Sequence, residues 1–204
     1  MIAIVDYGLG NILAFANMFK RLNIDARVAS SVDALAGADK IILPGVGAFD
    51  HAMERLQASG MRDVLDELVL EKQVPVLGIC VGMQILAKCS DEGKLPGLGW
   101  INGRVRAFSA LPETASLALP HMGWNDVHPK PDERLFAKME ADKRFYFLHS
   151  FFFECASPQS SAATASYGID FSCAVHSGNV YGVQFHPEKS HHWGARLLQN
   201  FAGI

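Results

Sequence analysis

Short, nearly all-apolar runs alternate with stretches in which apolar residues recur every three or four positions, and the alternation continues to about residue 78. Residues 1–5 make the first run. Beyond the break at Asp6-Tyr7-Gly8-Leu9-Gly10-Asn11, the residues Ile12, Phe15, Phe19 and Leu22 fall along one face of a helix. The same pairing returns as a strand over 26–29 with a short helix after Ser31, and as a strand over 40–43 with helices over 50–56 and 61–72. A further strand covers 74–78. Apolar strands without alternation, separated by helices, predict an α/β fold with a mostly parallel sheet flanked by helices on both faces. From Leu98 onward the segments shorten. Those over 104–108, 145–149 and 180–185 predict a mixed or antiparallel extension of the sheet, and a helix over 194–201 closes the pattern. No linker, repeat or low-complexity run divides the chain, so residues 1–204 are expected to form a single domain.

Composition narrows the class. Half of the 204 residues are hydrophobic and 19% are charged, which is enough for a large core and argues against disorder. A formal net charge of −3 gives no general reason to expect nucleic acid or an anionic membrane as partner. The longest apolar runs are strand-sized, too short to cross a bilayer. The expectation is a soluble cytoplasmic protein with neither a nucleic-acid nor a membrane partner. The four cysteines, Cys80, Cys89, Cys155 and Cys173, are scattered and form no C-x-x-C pair, so no zinc site is expected. Without a secretory leader, they are expected as free thiols of a reducing compartment.

One of these cysteines stands apart. Gly78-Ile79-Cys80-Val81-Gly82-Met83-Gln84 places Cys80 between a buried strand and an amphipathic segment, where a sharp strand-to-helix turn holds a side chain at the carboxyl edge of a sheet. A helix N-terminus behind the thiol favours its anion, and Gly78 and Gly82 suit a strained turn with close backbone approach. Cys89, Cys155 and Cys173 have no such setting and read as small buried hydrophobes. Gln184-Phe185-His186-Pro187-Glu188 supplies a base: Pro187 ends the strand, and His186 and Glu188, two residues apart in an extended segment, start on one face. Alone, a lone cysteine is a core residue and a lone His-x-Glu a surface pair. Together they make a nucleophile, a base and an orienting acid, sufficient for acyl transfer through a thioester. Leu43-Pro44-Gly45-Val46-Gly47-Ala48-Phe49 follows another strand and can turn backbone N–H groups into a cavity as oxyanion donors. The Gly8-x-Gly10 turn lacks the third glycine of a dinucleotide fingerprint.

These motifs, with Pro120-His121-Met122-Gly123-Trp124-Asn125 and His149-Ser150, closely resemble the class I (triad-type) glutamine amidotransferases, and within that family the glutaminase subunits of imidazole glycerol phosphate synthase. The resemblance runs along essentially the whole chain. It implies that Cys80 attacks the carboxamide of glutamine, His186 shuttles the proton and Glu188 orients it. It places Gln84, Glu92 and Ser150 around the amino-acid moiety, with backbone donors from the Gly45-Val46-Gly47 turn and from Val81 in the oxyanion hole. Ser90-Asp91-Glu92-Gly93 would otherwise read as a solvated turn. It implies no cofactor and no metal. It also implies a heterodimer with a (β/α)8-barrel cyclase subunit of the HisF kind, which takes the ammonia in histidine biosynthesis.

The chain departs from the family's pattern at Val81, where leucine is commoner, and at Phe151, where tyrosine is frequent. The tail Lys189-Ser190-His191-His192-Trp193-Gly194 resembles copies of the subunit that feed a surface-polysaccharide sugar amidotransferase, an alternative acceptor. A non-catalytic scaffold or a cysteine-type ester hydrolase would share the fold or the elbow, the latter with a lipophilic pocket. Val46 is β-branched, and its restricted dihedrals suggest a turn that a partner must remodel. Asn11, Trp124 and Lys189 are expected at the partner surface; a helix cap, a core position and a solvated charge are their respective alternatives.

Overall fold

The computed structural model describes residues 1–114 and 116–204. Its first half is built as the hydrophobic pattern predicts. Strands β1 (Ile2–Val5), β2 (Ala26–Ala29), β3 (Lys40–Gly45) and β4 (Val76–Cys80) alternate with helices α1 (Ile12–Arg21), α2 (Val32–Leu35), α3 (Phe49–Ala58) and α4 (Arg62–Asp66). All pairings among these strands are parallel, in the order β2-β1-β3-β4. β1 and β4 are buried along their whole length and β3 nearly so, whereas the edge strand β2 exposes Arg27 and Val28. That is the burial of a parallel sheet covered on both faces.

Several boundaries differ from the sequence reading: the strand expected over 74–78 is Val76–Cys80, that over 180–185 ends at Val183, and the helix over 194–201 begins at His191. The helix expected over 61–72 is α4 followed by a π-helical turn, Glu67–Glu71. The wider turn leaves the Val69 carbonyl free to accept the Asn179 amide at 2.8 Å, and the same amide reaches Val74 O at 2.9 Å, fixing the entry to β4. The helix after Cys80, α5 (Val81–Gln84), is a single turn.

The second half is the mixed extension. Strands β5 (Gly103–Ala107), β6 (His121–Asp126), β7 (His128–Pro129), β8 (Arg144–His149), β9 (Phe151–Cys155), β10 (Ser161–Tyr167), β11 (Ile169–Ser177) and β12 (Val180–Val183) lead to the closing helix α6 (His191–Ala202). β12 is the seam: it runs parallel to β4 and antiparallel to β11. From there β11-β10-β7 continue the sheet, β9 joins β11 and carries β5, and β6 and β8 form a separate antiparallel pair. Phenylalanine rings fill the space under this half, among them Phe108, Phe147, Phe152 and Phe171. No helix is long and apolar enough to cross a membrane among the described residues.

α6 is held against the turn at Pro187 by Gly194, where a Cβ would stand 1.8 Å from the Pro187 carbonyl oxygen. Glycine inside a helix ordinarily costs about 1 kcal/mol relative to alanine. Here the sign reverses: Gly194→Ala is expected to destabilise the fold by about 1–3 kcal/mol, because backbone must move to admit the methyl. Chemical denaturation of the two proteins checks this, and a midpoint raised by the substitution would refute the close approach.

Candidate active site

Cys80 stands where the central strand β4 stops. Its backbone lies at φ +57° and ψ −115°, a conformation that costs a non-glycine residue about 1–3 kcal/mol and persists only where its surroundings impose it. The surroundings are close-packed backbone. A Cβ on Gly82 would stand 1.9 Å from the Leu43 carbonyl oxygen, and one on Gly78 would stand 2.5 Å from the Gly82 carbonyl oxygen. Gly45, opposite Cys80 in the β3–β4 register, would meet Gly82 N at 2.6 Å. These glycines let β3 and the elbow touch, and the Gly45-Val46-Gly47 turn is thereby brought to the thiol. The helix start expected behind the thiol is present, but the single turn of α5 carries little dipole, so side-chain contacts become the main neighbours of Cys80.

Chief among these is Gln184. Fully buried, it donates from Nε2 to Cys80 Sγ at 3.8 Å and accepts at Oε1 from Gln84 Nε2 at 3.0 Å. Sequence reasoning quoted Gln184 in its motif but assigned it no role. The available signal was a glutamine inside an otherwise apolar strand, a residue that must find a partner when buried. Tyr7 was missed in the same way: its buried hydroxyl donates to Pro44 O at 2.8 Å, just before the glycine turn. Burial and the neighbouring Cys80 push its pKa far above the ordinary tyrosine value.

His186 Nδ1 lies 2.9 Å from Glu188 Oε1, with both side chains almost inaccessible. The cause is not strand alternation. A single 3₁₀ turn, Pro187–Lys189, follows His186 and folds the carboxylate back onto the ring. Ser190 secures the turn by donating from Oγ to His186 O at 2.6 Å and accepting the Tyr146 N–H at 3.0 Å. Burial by itself would lower the His186 pKa, but Cys80 and Glu188 outweigh it and raise the value to about 9. Its Nε2 is buried without a hydrogen-bond partner and is the ring nitrogen free to exchange a proton.

Cys80 and His186 open onto one cavity of about 290 Å³, which also brings together Val46, Gly47, Val81, Gln84, Glu92, Ser150 and Lys189. Glu188 stands behind His186, outside this lining. Glu92 is more than a solvated turn: its Oε2 accepts the Phe49 N–H at 2.8 Å, capping α3, whose cap residue Ala48 makes no side-chain bond. Asp50 answers by accepting from Lys94 N and Leu95 N, so the loop and the helix start are tied in both directions. Among the other cysteines, Cys173 is buried and Cys155 half-buried. Cys89 is exposed, which overturns its reading as a buried hydrophobe.

The residues expected at the partner surface are all accessible. Asn11 occupies the cap position of α1 but its side chain makes no cap bond. Trp124 is 40% exposed, stacked on His191 with centroids 5.3 Å apart and edge-on to Tyr146 at 6.3 Å. Lys189 Nζ sits 5.6 Å from the centroid of the same Tyr146 ring. Trp124 and Lys189 therefore both lie against Tyr146, and Lys189 also lines the cavity.

His149, in the cavity wall, is paired with another buried histidine, His121. His149 Nδ1 is 2.7 Å from Phe151 O, a pure acceptor, so Nδ1 carries the proton and Nε2 accepts. Nε2 lies 2.9 Å from His121 Nδ1, and His121 Nε2 lies 3.2 Å from Asn125 Nδ2. Burial lowers the pKa of His121 to about 4 and that of His149 to about 3, so both rings are neutral.

A strained thiol at a strand end, a buried His–Glu pair and a glycine turn thus share one edge of a parallel sheet. Residues 3–203 match the family model for glutamine amidotransferase class-I, and the chain belongs to that family. Within it the chain groups with the subunits named imidazole glycerol phosphate synthase subunit HisH. The relative from Bdellovibrio bacteriovorus is 66% identical and that from Leptospira borgpetersenii 50%, each over the full length of both chains. A relative named HisH 2, from Pseudomonas aeruginosa, is 43% identical over the full length of both. Among solved structures, a crystal structure of a glutamine amidotransferase superposes with a TM-score of 0.76 at 21% identity, covering 100% of this chain and 99% of its own. That likeness supports the α/β fold.

The two neutral histidines make stability acid-sensitive. Unfolded, each takes a proton near its ordinary pKa of 6.5; folded, they resist it down to about 4 and about 3. Their contribution is therefore complete above about pH 6.5 and is lost as pH falls toward the folded values. Denaturation midpoints measured between pH 7 and pH 4 are expected to drop, and less steeply in His149→Gln. Equal slopes for the two proteins would refute the neutral pair.

Proposed function

We propose that the chain hydrolyses glutamine to glutamate and ammonia through Cys80, His186 and Glu188, and that the ammonia passes to a (β/α)8-barrel cyclase subunit in a heterodimer that makes imidazole glycerol phosphate for histidine biosynthesis. The observation that carries the reading is the buried His186–Glu188 pair opening, with the strained Cys80, onto one cavity. The Cys80 sulfur attacks the carboxamide carbon, and the oxygen takes up negative charge beside backbone N–H groups of the Gly45-Val46-Gly47 turn and Val81. His186 hands a proton to the leaving nitrogen, ammonia departs and a thioester remains. His186 then takes a proton from water as the water attacks the thioester, and glutamate leaves with the thiol restored. Glu188 holds the ring through Nδ1 throughout, while Gln84, Glu92 and Ser150 surround the amino-acid portion. The polar lining at Gln84, Glu92 and Ser150 favours glutamine over a lipophilic ester. The 66% identical HisH relative favours the cyclase over a polysaccharide sugar as the final acceptor. Residues 1–204 act as one glutamine amidotransferase domain, in the cytoplasm.

Cys80→Ser and His186→Ala are each expected to reduce glutamine hydrolysis by about a thousandfold or more with an unchanged fold, since members of one unit are lost together. A chloroketone built on glutamine is expected to label Cys80 alone, although Cys89 is exposed. Near-normal turnover by the serine protein, or labelling at Cys89, Cys155 or Cys173, would overturn the assignment.

Ammonia protonates in bulk water, so the cavity mouth must seal against the acceptor, and Asn11, Trp124 and Lys189 are the candidates for that seal. The β-branched Val46, 41% exposed, is the part of the oxyanion turn a partner can reach. Added cyclase is expected to raise glutaminase turnover by about a hundred- to a thousandfold, the usual worth of an oxyanion donor. Trp124→Ala and Lys189→Ala are each expected to weaken binding to the purified cyclase roughly tenfold. They are expected to lower glutamine-dependent synthesis while leaving ammonia-dependent synthesis intact. Wild-type binding and channelling by both variants would place the docking face elsewhere.

A further inference from the structure

One continuous line of hydrogen bonds runs from the thiol to the small outer sheet. Gln184 Nε2 donates to Cys80 Sγ, and Gln84 Nε2 donates to Gln184 Oε1 and, at 3.4 Å, to Phe151 O. The same Phe151 carbonyl accepts from His149 Nδ1. Beyond it, His121 donates to His149, and Asn125 donates to His121 and, at 2.9 Å, to Ser166 O. The line crosses a layer that is otherwise aromatic. His149 is ringed by Phe108, Phe147 and Phe171 at centroid distances of 5.5, 5.6 and 5.3 Å, and His121 is stacked between Phe147 and Tyr167 at 4.9 and 4.2 Å. Among the described residues, no charged side chain hydrogen-bonds to either ring. A buried polar chain of this kind costs desolvation at every member unless each donor and acceptor is met, and here each imidazole uses both nitrogens.

Both ends of the line matter to the site. Phe151 and Ser150, the latter one residue from His149, belong to the cavity wall. β6, at the other end, has two faces: His121 and Asn125 turn inward, while Met122 and Trp124 point outward, 64% and 40% exposed. Resting on the glutaminase reading above, we infer that His121 and Asn125 are positioning residues for the glutamine site, holding the His149-Ser150-Phe151 segment, and through it Gln84 and Gln184, in the geometry that binds substrate beside Cys80. Neither residue touches substrate. Each acts through His149, and each ties the cavity wall to the strand that also bears Trp124.

The test measures labelling of Cys80 in the purified full chain by the glutamine chloroketone, followed peptide by peptide, as half-saturating concentration and limiting rate. His121→Leu removes the donor to His149 and is expected to raise the half-saturating concentration roughly tenfold while the limiting rate stays within about twofold, the pattern of a binding-wall defect. His121→Asn keeps an N–H close to the position of Nδ1 and is expected to restore wild-type saturation to within about twofold. Asn125→Ala, which removes the outermost donor and leaves both rings in place, is expected to shift saturation the same way by about threefold, and it decides the matter if His121→Leu does not fold. Unchanged saturation in these variants, or a shift that His121→Asn fails to reverse, overturns the inference. If the reagent fails to label Cys80 in the wild-type chain both alone and with added cyclase, the glutaminase reading falls and takes the inference with it.

Discussion

Backbone touches backbone at the centre of this molecule, and everything chemical depends on that contact. With Gly82 pressed on the Leu43 carbonyl and Gly45 on Gly82 N, no side chain can stand between β3 and the turn that leaves β4. The thiol is consequently held at a positive φ at the sheet's carboxyl edge, and the Val46 turn is carried to within the same cavity. The strain at Cys80 is sustained by the surrounding sheet, whose central strands are buried on both faces. A methyl group at any of these glycines would push apart the two halves of the site.

The second half of the site arrives by a different route. β12 lies parallel to β4 and so delivers His186 to the same edge as Cys80, yet β12 is also the first strand of the antiparallel extension. One strand thus joins the layer that bears Cys80 to the layer that carries the aromatic core and the β6–β8 pair. The 3₁₀ turn at Pro187, clamped by Ser190 and by the close fit of Gly194, converts a strand end into a preorganised imidazole–carboxylate pair. Preorganisation is the physical gain, since groups already in place need no rearrangement as charge develops.

Three histidines show how position decides chemistry. His186, buried beside Cys80 and Glu188, is held in its charged form, with a pKa of about 9. His121 and His149, buried among phenylalanines and bonded to a carbonyl, an amide and each other, are held neutral. Desolvation acts on all of them. What separates them is whether an opposite charge lies within reach.

The hydrophobic pattern by itself determined the parallel half of the fold, because strands buried on both faces have no polar alternation to confuse them and helices reveal themselves by period. Local signals of another kind, the glycines about Cys80 and the Pro187 stop, pointed to the residues proposed to carry acyl-transfer chemistry. β6, β7, β9, β10 and β11 were not legible. β10, for example, reads Ser-Ala-Ala-Thr-Ala-Ser-Tyr, small and mixed residues that become a strand only because β11 and β7 supply partners. Gln184 on the thiol, Glu92 on the start of α3 and His121 against His149 join residues 104, 43 and 28 positions apart in the chain. Only the tertiary structure could decide such contacts, because local propensity carries no information about which distant polar group will meet another once water has been excluded from both.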